Sequence, residues 1–149
     1  ENDLDNVMRF VDEYVTESEQ FKVKMLFRLK YAEVTDNWKL YAKVVKGLFE
    51  KEGVKDNLND ANGFAWNIYL KTDDESVLAD ATNWMFEVVS LEGNYAYLDT
   101  YASLLYKTHS YEEAQKVAEK AIAIGLNNDE KVEETKELLV KIKDAQKAK

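Results

Sequence analysis

Apolar side chains recur along this chain at intervals of three and four residues, the spacing that lines one face of an α-helix. Leu4, Val7, Met8, Val11, Tyr14 and Val15 predict a helix over 4–16, with Asp3 as N-cap. Phe21, Met25, Leu26, Leu29 and Ala32 predict a second over 19–34, capped by Ser18. Trp38, Tyr41, Val45, Leu48 and Phe49 predict a third over 37–52, with Asp36 as cap and Gly53 as stop. A fourth, over 58–71, turns Ala61, Phe64, Ala65 and Ile68 inward. Gly63 inside it costs about 1 kcal/mol relative to Ala, so either a neighbour approaches its backbone closely or the glycine is merely tolerated. A fifth, over 74–91, buries Val77, Leu78, Ala81, Trp84, Met85 and Val88, opened by a Thr72–Glu75 capping box and stopped by Gly93. An eighth, over 129–147, buries Val132, Thr135, Leu138, Leu139 and Ile142 and is polar beyond Ile142, where its end is expected to fray.

Between them, residues 95–126 read as two short helices joined by a tight turn. Leu98, Tyr101, Ala102 and Leu105 form one stripe, and Ala114, Val117, Ala118, Ala121 and Ile122 the other. Ser110 and Glu113 have the spacing of a capping box. Small residues on facing stripes let two helix axes approach at the short end of the usual ~8–10 Å. This unit resembles the tetratricopeptide repeat, a helical hairpin of about 34 residues. The small positions match at Ala102, Ala114 and Ala121, and the large ones at Leu98, Tyr101, Leu105 and Tyr111. His109 stands where that family has its turn glycine, and Leu126 where it has a closing proline. The resemblance implies a right-handed α-α superhelix of hairpins that binds partners and performs no chemistry.

The internal register extends this. Gly53, Gly93 and Gly125 are each expected to end a helix in a left-handed conformation. Tyr41, Ala81 and Ala114 hold equivalent places, separated by 40 and 33 residues. Ala65 to Ala81 spans 16 residues against 12 for Ala102 to Ala114, which puts four extra residues, Thr72–Glu75, in the middle turn. The expectation is one helical-repeat domain over 1–149, with clear repeats at 58–93 and 95–126, a degenerate one at 19–53 and a solvating cap helix. The runs AWNIYLKTDD, LEGNYAYLDTYASLLYK and EEAQKVAEKAI further resemble the helical region that follows the thioredoxin-like domain in some bacterial envelope proteins of the thioredoxin family. That resemblance implies an accessory segment of a thiol–disulfide oxidoreductase, packed on a thioredoxin-like domain of the same polypeptide in the cell envelope or periplasm. The redox Cys-x-x-Cys is not among these residues, so no oxidoreductase activity carries over to them.

Composition agrees with helices. The chain of 149 residues is 46% hydrophobic and 33% charged, and it has no proline, the residue that breaks helix interiors. Without cysteine it holds no disulfide, thiolate metal site or thiol nucleophile. Its apolar runs fall far short of the ~20 residues of a membrane span, and no signal peptide is visible. It begins with Glu, which suggests a processed protein or an excised piece of a longer one. A net charge of −9 argues against nucleic acid and anionic membranes as partners. The charge is uneven: residues 21–56 carry nine bases and five acids, whereas residues 57–110 carry two bases and eight acids. The acidic middle favours a cationic protein or peptide.

Catalytic and cofactor chemistry finds no motif. His109, the only histidine, falls in a turn beside Ser110, and one histidine without cysteine makes no zinc site. The run Asp60–Gly63 aligns with a calcium loop only by placing Leu58 and Tyr69 where acids are required. No metal or cofactor is therefore expected. Binding remains. In tetratricopeptide proteins the first helix of each pair lines the concave face. By that resemblance the groove falls on Asn59, Asn62, Trp66, Tyr69 and Leu70 of the fourth helix, and on Asp99, Ser103, Tyr106 and Lys107 of the sixth. Asn62, Trp66 and Tyr69 share one face at i, i+4 and i+7. Aromatic anchors beside amides suit a peptide; the alternative is that Trp66 and Tyr69 pack beneath a neighbouring helix.

Overall fold

The structure, a computed structural model, describes residues 2–148. Every regular element among them is helical: α1 (Asn2–Tyr14), α2 (Glu17–Val34), α3 (Trp38–Glu52), a 3-10 turn (Lys55–Asn57), α4 (Leu58–Lys71), α5 (Glu75–Leu91), α6 (Tyr95–Lys107), α7 (Tyr111–Asn127) and α8 (Glu133–Lys147). The fold is all-α, and helices pack against their neighbours in sequence order, as in an array of helical hairpins. The contacts fall into two compact units, residues 1–53 and 54–149.

In the first unit α1 packs on α2 and α2 on α3. Val11, Leu29, Ala32, Tyr41, Val45 and Leu48 are buried at its centre. Two expectations fail here. Tyr14 is 68% exposed and stacks on the equally exposed Phe10, with ring centroids 4.7 Å apart. Leu26 is 61% exposed. For Leu26 the reason lies in α2 itself, whose apolar residues are spread around the whole helix. Val23, Phe27 and Val34 lie on the side away from Leu29 and Ala32, and Leu26 lies at the edge of their stripe, so one packed face cannot take them all.

In the second unit α4 pairs with α5 and α6 with α7, while α6 also touches α4 and α8. Ala65, Ala81, Ala102 and Ala114 are completely buried, as the spacing of the hairpins requires. Gly125 is not a stop. It lies inside α7, and a Cβ there would overlap the Val132 side chain and press on the Tyr95 ring. The left-handed residue that follows α7 is Asp129 (φ 56°), with Glu130 N–H returning to the Gly125 carbonyl at 2.9 Å. Gly93 likewise has no positive φ, whereas Gly53 does (φ 81°). The α6–α7 turn uses His109 at φ 62°, the backbone shape that a glycine would supply. Gly63 is exposed with nothing within 4 Å of an added Cβ, so it is the tolerated glycine.

The caps also differ. Asn37, not Asp36, caps α3, accepting from Leu40 N–H at 3.0 Å, while Asp36 accepts from Trp38 Nε1 at 2.6 Å. Asp74 caps α5, accepting from Ser76 and Val77 N–H, and Thr72 Oγ1 accepts from Asp74 N–H instead of forming a box with Glu75. Ser110 makes no capping bond, and Glu113 accepts from the Tyr101 hydroxyl at 3.2 Å. Asp3 lies within α1, and Thr16 rather than Ser18 precedes α2.

Candidate functional site

The direct contact of α4 with α6 sets two first helices of successive hairpins side by side. Along their shared face the nine candidate residues separate into distinct environments. Asn62, Trp66 and Asp99 open together into a cavity of about 470 Å³, closed by Tyr95, Ala96 and Thr100 of α6 and by Lys131, Glu133 and Glu134 at the start of α8. Tyr69 lies alongside, its ring stacked on Trp66 at 5.0 Å and its phenol hydrogen-bonded to Ser103, which is buried. Burial pushes the Tyr69 phenol above its ordinary value, with the Ser103 bond opposing. Asn59 is occupied, accepting from the Tyr97 hydroxyl at 2.6 Å. Tyr106 belongs to a second cavity of about 630 Å³, shared with Asp73, Glu75, Lys107, His109 and Tyr111. Lys107 is also committed: its Nζ donates to the Tyr69 carbonyl at 2.6 Å and pairs with Asp73 at 2.9 Å. Leu70 is exposed. Trp66 and Tyr69 are each partly accessible, between the two readings of the sequence.

The polar wall of the first cavity has a direction. Thr135 Oγ1 donates to Asp99 Oδ1 at 2.6 Å, and the Tyr95 hydroxyl lies 2.8 Å from the same Thr135 oxygen. A hydroxyl has one hydrogen, so the Tyr95 O–H donates to Thr135 and the Thr135 O–H to Asp99. Neither hydroxyl has a hydrogen left for a guest. Burial pushes the Asp99 carboxyl above the usual carboxylate range; the Thr135 bond lowers it and nearby Glu134 raises it further. Asn62 Oδ1 is buried without a hydrogen-bond partner among the described residues, although an unmet buried acceptor costs ~1–3 kcal/mol. The wall therefore offers acceptors in excess, the rest of Asp99 and Glu133 and Glu134 at the mouth, while Asn62 Oδ1 lies sealed behind it. Lys131 is the one cation of the lining.

The sequence had pointed to Asn62, Trp66 and Asp99 by helical spacing and resemblance. It had not pointed to Tyr95, Thr135 or the α8 acids as members of the site. Those lie 36 and 40 residues apart in their bonds, and no local pattern marks such a pair. No protein family, curated protein or solved structure matches this chain.

Proposed function

We propose that this chain is a non-catalytic, tetratricopeptide-like interaction module whose α4–α6 face receives an extended peptide carrying a basic residue. The observation that carries this reading is the acceptor-rich cavity: the half-buried Asp99 carboxylate, Glu133 and Glu134 at the mouth and the Trp66 ring line one concave site. A lysine or arginine side chain brings several donors and no acceptor, which suits Asp99 and the Glu134 mouth, and its stem lies well against an aromatic ring. The small-residue hairpins hold the two walls at a fixed spacing, so little ordering is needed on binding.

The test is panning of short displayed peptides against the chain. Recovered sequences are expected to be rich in Lys and Arg. Trp66→Ala and Asp99→Asn should each weaken them about tenfold, close to 1.4 kcal/mol, with helicity by circular dichroism unchanged. Recovery of no peptide, or of peptides indifferent to both substitutions and to Trp66→Ala combined with Tyr106→Ala, removes the groove.

A further inference from the structure

The first unit holds a different concavity, of opposite charge. Between α2 and α3 a groove of about 430 Å³ is lined by Phe21, Met25, Leu40 and Val44, with Lys24, Arg28 and Lys43 along its edges and no acid. The lining positions recur at i, i+3, i+4 and i+7 on both helices, so the groove runs about 10 Å along them. Lys24 is paired with Asp12, and Lys51 sits 3.6 Å over the Phe21 ring. Arg28 and Lys43, one on each wall and both exposed, have no ion pair or hydrogen bond among the described residues.

Gly47 adds room to the groove. It lies on the groove floor in the interior of α3, where glycine costs about 1 kcal/mol relative to alanine. Nothing lies within 4 Å of a Cβ added there, so no neighbour in the fold demands a glycine. As at Gly63 the fold tolerates the glycine without requiring it; at Gly47 the missing side chain leaves room on the groove floor.

We infer that the α2–α3 groove docks an acidic amphipathic helix of a partner protein. An apolar stripe on that helix covers Phe21, Met25, Leu40 and Val44, its backbone comes close at Gly47, and carboxylates on its two flanks meet Arg28 and Lys43. Cations on both walls distinguish this occupant from a fatty acid, whose single head group answers one wall only. The apolar floor distinguishes it from a polyanion without apolar groups.

The probe is a synthetic helical peptide with leucines at i, i+3, i+4 and i+7 and glutamates on both flanks; its control has lysines for the glutamates. The glutamate peptide is expected to bind, more weakly as salt rises, and the lysine peptide to fail. Arg28→Glu combined with Lys43→Glu should weaken binding at least tenfold, and Gly47→Leu by a similar factor while the melting temperature holds or rises. Equal binding of both peptides, indifference to Gly47→Leu, or no binding of the glutamate peptide at about 1 mM overturns the proposal. So does binding of dodecanoate in place of the peptide. A concentration-dependent doubling of mass that the charge reversal abolishes would assign the groove to a second copy of the chain, and also overturns it.

Discussion

The two units solve the same packing problem with different sequences. In residues 54–149, completely buried alanines sit at the hairpin crossings, and the exposed large apolar residues, Leu70, Phe86, Leu91, Leu126 and Val140, fall no more than two to a helix. Polar groups there reach across long sequence separations, as in Tyr95–Thr135–Asp99 and Tyr97–Asn59. In residues 1–53, the apolar residues of α2 are spread around the helix, three of them (Leu26, Phe27 and Val34) remain on the surface, and Phe10 and Tyr14 of α1 are exposed with them. The contrast teaches that periodicity, rather than apolar content, decides how much of a helix is buried. A helix can carry many large apolar residues and still leave several of them, here Leu26, Phe27 and Val34 of α2, on the surface.

The sharpest way to break this comparison is a pair of truncations. Ile68→Ala, at a completely buried site in α4, is expected to cost about 2–5 kcal/mol in urea unfolding. Leu26→Ala, in the first unit, should cost about 0.5 kcal/mol or less. Comparable losses would mean that Leu26 is covered in solution. Two glycine substitutions should differ in sign. Gly125→Ala forces Val132 and the Tyr95 ring aside and should destabilise by about 1–3 kcal/mol, whereas Gly47→Ala should stabilise by about 1 kcal/mol. Thermal melts of the two variants read both effects.

Smaller effects sharpen the picture at helix ends. Asp74→Ala removes a cap with two backbone bonds and is expected to cost about 1 kcal/mol. Ser110→Ala, at a position without a capping bond, should change stability little. The last effect is confined to alkaline solution. Burial, then the neighbouring Glu113, pushes the Tyr101 phenol up to about 12 from an ordinary 10.0. The folded state thus keeps a proton that the unfolded chain releases, so this contribution is intact below about pH 10 and lost as pH rises towards 12. Tyr101→Phe should flatten that part of the stability profile.

Much of the fold was legible in the sequence because eight stripes of period 3.6 and the lack of proline leave little choice but helices. What was not legible has physical reasons. Ser110 and Glu113 have the right spacing for a box, yet Glu113 is drawn off by Tyr101, twelve residues earlier. Gly125 looks like a terminator, but its missing side chain serves packing against Tyr95 and Val132 instead. Left-handed turns fell to Asp36, His109 and Asp129, residues that local preference ranks below glycine. Of the α4–α6 residues, helical spacing together with the repeat resemblance was enough to point to Asn62, Trp66 and Asp99. Spacing was not enough to reveal that Asn59 is already bonded or that Ser103 is buried.

Lys107 carries one more consequence. Thr72 follows α4 where a glycine stop is common, and the Tyr69 carbonyl in that last turn is met by an ammonium from the far end of α6, 38 residues later. One hairpin thus finishes a helix belonging to the previous one. Deleting residues 95–127 would not simply shorten the array by a step; it would leave α4 free to unwind from its final turn. Truncation series that treat these hairpins as interchangeable modules should therefore lose more helix than they remove.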